Sequence, residues 1–195
     1  MKPPRYYTVE EMLCFVDNPT GKICQKVLTE NLELFQKVQG SLHNHQAWPG
    51  GYLHHIQEVM NIAILWYGPT ESARPLPFSL SDVLLVLFFH DIEKPWKYEI
   101  GPDGQLQEVV SLRKKSAQHE FRAKKLAEYG IVLTEKQANA MKYVEGEGDD
   151  YTNRRRVSTP LAAFCHLADS WSARGWFNYP QEENDPWPGA CRNRH

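Results

Sequence analysis

Residues 84–98, LLVLFFHDIEKPWKY, begin as an unbroken apolar run and then change abruptly to polar and charged residues. The run is far too short to cross a bilayer, which needs about 20 residues, so it predicts a buried helix over 82–92. His90 and Asp91 directly follow the run, and we expect both to be buried or half-buried. An isolated buried charge is costly. These two side chains must therefore be paired, hydrogen-bonded or bound to a metal.

Helical signals dominate the rest of the chain. Thr8 and Glu11 form a capping box that opens a short helix, and Ser79 or Ser81 can cap the apolar helix. Further helices are predicted at about 21–38, 53–64, 115–129, 134–143 and 159–172. A turn at 101–104 separates two short segments, 96–100 and 105–110, which form the only predicted β-hairpin. The expected fold class is all-α with a small β-hairpin insert.

Length and composition predict one domain over 1–195, with N-terminal helices at 8–40, a core at 41–174 and an irregular tail at 177–195. The net charge of −2 gives no general attraction to nucleic acid or to membranes. Cysteines are dispersed, without a close pair, and we interpret them as reduced thiols of a cytoplasmic chain; they are Cys14, Cys24, Cys165 and Cys191. No apolar signal segment is seen at the N-terminus.

The segment 41–60, SLHNHQAWPGGYLHHIQEVM, contains four of the eight histidines of the chain. His43 and His45 precede the turn at Trp48 and are expected to shape the loop before the next helix. His54 is expected to point away from His55, since neighbours on a helix lie about 100° apart. Downstream, Asp169 sits near the end of another apolar helix, AAFCHLADSWSAR. His166 lies on the same helix face as Asp169, and it is expected either to support a ligand residue or to fill the core.

The order of these motifs resembles the HD-domain metal-dependent phosphohydrolase superfamily. NHQAWPGGYLHH resembles the HHxxxxGGLLEH segment of the branch that includes 3′→5′ exoribonucleases and related phosphodiesterases. HDIEKPWKY is similar to its HDIGK motif, and LADSWSAR to its YADNLDA segment. The resemblance covers about residues 41–174 and implies an HD-domain helical bundle. It also implies a metal-ligand quartet from three parts of the chain: His55, His90, Asp91 and Asp169.

Two imidazoles and two carboxylates form a mixed nitrogen and oxygen shell that suits a divalent metal: Mn, Fe, Co, Ni, Zn or Mg. The absence of a thiolate from this set disfavours a closed structural zinc site. The alternative is that His90 and Asp91 pair with each other and that Asp169 caps a helix.

Some members of the superfamily have two further histidines that build a second metal position. His119, in SAQHEFRAKKLA, resembles the first of these. The second falls on 143–146, YVEG, which has no histidine, and Glu145 is the nearest oxygen ligand. Either the second metal is lost and His119 contacts phosphate, or Glu145 or Glu147 replaces the imidazole. Otherwise His119 faces solvent and the glutamates belong to an acidic loop.

Lys94 is retained from the motif, whereas Glu93 stands where the superfamily has glycine. The resemblance implies that Lys94 contacts a substrate phosphate; alternatively, it satisfies carbonyls at a helix C-terminus. Lys97 and the basic run at 113–115 lie on or beside the hairpin and are candidates to hold a polyanionic substrate. Arg174 is a further candidate to stabilise negative charge.

The resemblance thus implies a hydrolase that cleaves a phosphate ester or anhydride of a nucleotide or short oligonucleotide. Asp91, Lys94 and His119 would be catalytic, and Lys94, Lys97 and Arg174 would bind substrate. A small substrate is favoured, because the chain has no room for the separate nucleic-acid-binding domain of the exonucleases. Two alternatives remain: an HD-type di-iron oxygenase, and a non-catalytic HD module that binds a nucleotide or a partner protein. No membrane partner is expected, and the sequence leaves the oligomeric state open.

Overall fold

The computed structural model describes residues 4–100, 102 and 106–175, and it confirms a mostly helical fold with one small hairpin. The predicted tail at 177–195, Cys191 and most of the predicted turn at 101–104 lie outside the described residues. The elements in chain order are α1 (Val9–Leu13), α2 (Thr20–Phe35), α3 (Gly51–Ala73), α4 (Leu80–Phe89), α5 (Lys94–Lys97), β1 (Tyr98–Ile100), β2 (Leu106–Glu108), α6 (Lys115–Glu128), α7 (Glu135–Tyr143) and α8 (Pro160–Ser170).

The helix starts follow the predicted capping chemistry. The Thr8 hydroxyl accepts a hydrogen bond from the amide of Glu11, and the Glu11 side chain in turn accepts from the Thr8 amide. At α4, Ser79 is the cap, and it forms the same reciprocal pair of bonds with Asp82. Ser81 instead accepts from the backbone amide of Asp17, 2.9 Å away, and so ties α4 to the loop after α1.

Helix α4 is the centre of the core. All its residues from Val83 to Phe89 are buried, and the helix packs against α3, α7 and α8. Because the apolar side chains surround the helix, its C-terminal end is also enclosed by protein. His90 is the C-cap residue, so it enters the interior as a direct consequence of this burial.

The hairpin is shorter than the sequence predicts. Strands β1 and β2 are antiparallel, with Tyr98 opposite Glu108. Trp96, predicted in the first strand, instead ends up in the short helix α5, where its ring packs against Phe121 at a centroid distance of 5.4 Å. Val110 belongs to a 3₁₀ turn. None of the described helices combines the length and apolar character that crossing a membrane requires.

Candidate metal centre

Three helices bring a group of histidine and aspartate side chains to one point. His55 comes from α3, His90 from the end of α4 and Asp169 from α8. One ligand atom from each of the three lies within 4.8 Å of the others, and this group could hold a metal ion. Both histidines are fully buried. Asp169 lies inside α8 and faces His55, rather than capping a helix.

The distances between the ligand atoms fit a shared cation. His55 Nε2 lies 3.2 Å from Asp169 Oδ1 and 3.6 Å from Asp91 Oδ2. His90 Nε2 lies 3.3 Å from Asp91 Oδ2 and 3.6 Å from Asp169 Oδ1. Ligand atoms that bind one ion at about 2.1 Å are separated by roughly 3.0–3.4 Å. His55, His90 and Asp169 form the group that could share one ion. Asp91 lies against both histidines but is not part of this group, and its Oδ2 is held by Lys94.

Hydrogen bonds at the far side of each imidazole orient the ligand nitrogens. His90 Nδ1 donates to the carbonyl of Leu87 at 2.7 Å. The Ser172 hydroxyl donates to Glu58 at 2.9 Å, so it can accept from His55 Nδ1, 3.2 Å away. The Nε2 atoms of both histidines are buried and have no hydrogen-bond partner among the described residues. Buried polar atoms rarely stay unsatisfied, and metal-bound histidines are typically fixed in this way through the other nitrogen.

The carboxylates make this point favourable for positive charge. Burial alone would lower the pKa of His90, but Asp91 and Asp169 outweigh it and raise that pKa to about 10. Burial would likewise raise the pKa of Asp91, yet Lys94 and the histidines hold it well below its usual range. The pKa of His55 is lowered, chiefly by burial. The donor set thus suits a cation, with a proton on His90 as its competitor.

Lys94 and His45 form the next layer around the carboxylates. Lys94 Nζ lies 2.5 Å from Asp91 Oδ2 and 3.5 Å from His45 Nε2, and the His45 ring lies 4.8 Å from the His55 ring. Burial first, then His55 and Lys94, lowers the pKa of His45 to about 3, so its imidazole is neutral and can accept from the ammonium group. The sequence predicted His45 as a loop-shaping residue and missed this contact with the site.

The loop that carries His45 depends on glycine. A Cβ atom on Gly51 would lie 1.8 Å from the carbonyl oxygen of Gln46, and Gly50 has a φ of +81°. Only glycine allows this close approach at the start of α3. The WPGG turn therefore holds residues 45 and 46 directly over the first turn of α3, next to His55.

Arg122 is the buried cation that the sequence did not reveal. It donates from Nε and Nη2 to Glu93, at 2.6 and 3.0 Å, and from Nη2 to Glu145, at 2.6 Å. The same Nη2 lies 3.8 Å from Asp91 Oδ1. Glu93 is thus one half of a buried ion pair next to the candidate centre.

The group of His55, His90 and Asp169 includes neither His119 nor Glu145, although Glu145 lines the same cavity as Asp91 and Asp169. Glu145 is held by Arg122 and also by Lys115, 3.2 Å away. Glu147 accepts from Ser158. His119 lines a separate cavity of 190 Å³ beside apolar residues of α6 and α7. A metal bound by Glu145 would have to displace both of its cations.

The candidate centre forms part of the wall of a cavity of 620 Å³. Four cationic side chains and four carboxylates line it. Three of the cations, Lys94, Lys97 and Arg174, are the residues predicted to bind substrate, and the fourth is Lys115. Lys97 is paired with Glu108 at 2.9 Å, whereas Arg174 is exposed and has no ion-pair partner in the described part of the chain. His166, whose Nδ1 donates to the carbonyl of Val144, also lines this cavity.

No protein-family model matches the chain, and neither a curated protein nor a solved structure is significantly similar to it. The helical structure and the histidine and aspartate group are compatible with an HD domain.

Proposed function

We propose that the chain is a metal-dependent phosphohydrolase of the HD type that cleaves a phosphate ester or anhydride of a nucleotide or short oligonucleotide. The observation that carries the proposal is the pair of buried Nε2 atoms of His55 and His90, which lie without hydrogen-bond partners against Asp91 and Asp169. Asp91 and Asp169, which face these atoms, line a cavity that four cationic side chains also line. A divalent metal ion next to cationic side chains is suited to the hydrolysis of phosphate esters, because the ion polarises a phosphoryl oxygen.

His55, His90 and Asp169 would hold the divalent metal, with Asp91 as a fourth ligand. When bound, such an ion supplies Lewis-acid chemistry, polarising a phosphoryl oxygen and lowering the pKa of water. The nitrogen and oxygen donor set admits Mn, Fe, Co, Ni, Zn or Mg. The sequence resemblance, rather than the geometry, favours phosphate esters over other substrates.

The cations of the chain would bind the phosphate group. Lys94 is largely buried, and its ammonium stays charged because Asp91 outweighs the effect of burial and raises the pKa of Lys94. From its place between Asp91 and His45, Lys94 Nζ can donate to a phosphoryl oxygen bound next to the carboxylates. Arg174, without an ion-pair partner in the described residues, can provide two parallel hydrogen bonds to a phosphate at the mouth of the cavity.

The ion pairs of Glu145 disfavour the di-iron oxygenase alternative. That chemistry needs a second metal, and the carboxylate nearest to the missing histidine position is engaged by Arg122 and Lys115. We therefore propose one metal rather than two.

The test is a screen of the purified chain, loaded separately with Mn²⁺, Fe²⁺, Co²⁺, Ni²⁺, Zn²⁺ or Mg²⁺. Substrates would be nucleotides, cyclic dinucleotides and short oligonucleotides, with phosphate release and chromatography as readouts. We expect metal-dependent hydrolysis that is lost in His90→Ala and kept in the matched control His43→Ala, which changes an exposed histidine. No hydrolysis with any metal, or equal hydrolysis by His90→Ala, would contradict the proposal.

A further inference from the structure

A second cavity, of 600 Å³, adjoins the first and shares His166 and Ser170 with it. Its lining differs from that of the first cavity, since it is mostly apolar and includes two tyrosines, Tyr143 and Tyr151. Tyr151 and Leu167, which both line this cavity, keep 60% and 54% of their surface exposed. Arg156 supplies one cationic group and Glu147 one carboxylate to the same cavity.

The two cavities share a wall on helix α8. His166 and Ser170 line both, whereas Leu167 and Ala163 line only the second. Asp169, on the same helix, faces His55 and His90. From residue 163 to residue 169 the helix rises about 9 Å. Because His166 and Ser170 line both cavities, a ligand that lies along this face of α8 contacts both.

The shared wall is held in place by close packing. The Nδ1 atom of His166 donates to the carbonyl of Val144 at 2.7 Å. Gly146 has a φ of +102°, and a Cβ atom there would lie 3.4 Å from Cε1 of His166. The backbone of residues 144–146 thus passes directly against the imidazole and fixes the ring at the place where the two cavities meet.

We infer that the second cavity binds the nucleobase of the substrate while the first binds its phosphate. This inference rests on the proposed function, because it assigns the two halves of a nucleotide to two adjoining cavities of matching chemistry. The aromatic ring of Tyr151 and the side chain of Leu167 offer a flat apolar surface for stacking. Arg156 can stack on a base or donate to its polar edge. A sugar phosphate without a base would leave this surface uncovered.

The experiment compares nucleoside 5′-monophosphates with ribose 5-phosphate, which has the same phosphate and sugar but no base. The metal-loaded full chain is assayed as wild type, Tyr151→Ala, Tyr151→Phe and the control Val132→Ala, whose residue is 91% exposed and lines neither cavity. Binding of each nucleotide is also measured by calorimetry, independently of turnover. Unfolding midpoints verify that the variants fold, as expected for changes at exposed positions.

We expect wild-type protein to prefer at least one nucleotide over ribose 5-phosphate. Tyr151→Ala should raise KM for that nucleotide about tenfold, the size of losing one base–aromatic stack, while kcat and the reaction of ribose 5-phosphate stay unchanged. Tyr151→Phe keeps the ring and should behave as wild type. Equal use of both substrates, or an unchanged KM in Tyr151→Ala, would overturn the inference while leaving the hydrolase proposal intact.

Calorimetry separates the two proposals if no substrate is hydrolysed. If nucleotide affinity falls about tenfold in Tyr151→Ala, as expected for the loss of one base–aromatic stack, the base site is supported. The lack of hydrolysis would then count against the hydrolase proposal alone. Absence of nucleotide binding, or binding that Tyr151→Ala does not change, would overturn the base site.

Discussion

Replacing Arg122 by methionine removes the cation shared by Glu93 and Glu145. The Arg122 side chain is 4% exposed and that of Glu93 is 2% exposed, so this pair is almost fully removed from water. Glu145 is 30% exposed and keeps Lys115 as a partner, so most of the cost arises at Glu93. Methionine fills much of the volume of the arginine stem but offers the carboxylate no hydrogen bond.

The size of the effect follows from the burial of the pair. Removing one partner of a buried ion pair leaves an uncompensated charge and costs about 3–5 kcal/mol. For a chain of this length, 1 kcal/mol shifts Tm by about 2–4 °C. The Tm of Arg122→Met is therefore expected to fall by about 6–20 °C. Replacing both partners by apolar residues of similar volume is often neutral. Glu93→Leu combined with Arg122→Met should therefore recover most of the lost stability.

The assay is urea denaturation of metal-free protein, because a bound ion would add its own stabilisation. Wild type, both single variants and the double variant form a complete cycle, and Arg113→Met serves as control because Arg113 is exposed. If Arg122→Met loses less than about 1 kcal/mol, the buried pair does not carry the energy assigned to it. A double variant as unstable as the single one would refute the argument from charge burial.

Three further predictions concern the site and the core. Ser172→Ala removes the acceptor of His55 Nδ1, and metal affinity measured by calorimetry should fall about 10- to 100-fold; an unchanged affinity would contradict the role of this contact. Lys94→Ala should reduce turnover by about 2.7–4 kcal/mol of transition-state stabilisation and affect metal binding less, and full activity would refute a phosphate contact. Burial would raise the pKa of Asp82, but hydrogen bonds from Ser79 and Gln137 lower it. Wild type should therefore exceed Asp82→Asn in unfolding free energy by about 0.5–2 kcal/mol at neutral pH. Because the folded-state pKa is depressed, the advantage should shrink as pH falls below about 3.9; a difference that does not change with pH would contradict it.

The parts of the fold that the sequence predicts are those decided by local chemistry. The apolar run of α4 and the capping pairs at Thr8 and Ser79 depend on residues close together in the chain. The placement of His90 and Asp91 in the interior followed from the same run. The hairpin was predicted too long, because Trp96 packs against Phe121 of α6 and ends in a helical turn, a tertiary contact that local propensity does not contain.

The remaining parts of the site depend on contacts between distant residues. Arg122 and Glu93 are 29 positions apart, and Arg122 lies on a helix whose composition resembles a solvated surface. His55 and Ser172 are 117 positions apart. His45 reaches the site through a loop in which Gln46 has a φ of +44°, a conformation that no pattern in the segment predicts. Only the GG pair at 50–51 gave a signal that the chain approaches itself closely there.

Elemental analysis of the purified chain, before and after reconstitution with divalent metal, tests the central claim most directly. The account predicts about one divalent ion per chain, held by the group of His55, His90 and Asp169, with Asp91 as the proposed fourth ligand. The ion should be lost in His90→Ala and kept in His43→Ala. A wild-type chain that takes up no metal on reconstitution, or a His90→Ala chain that binds as much as wild type, would contradict it.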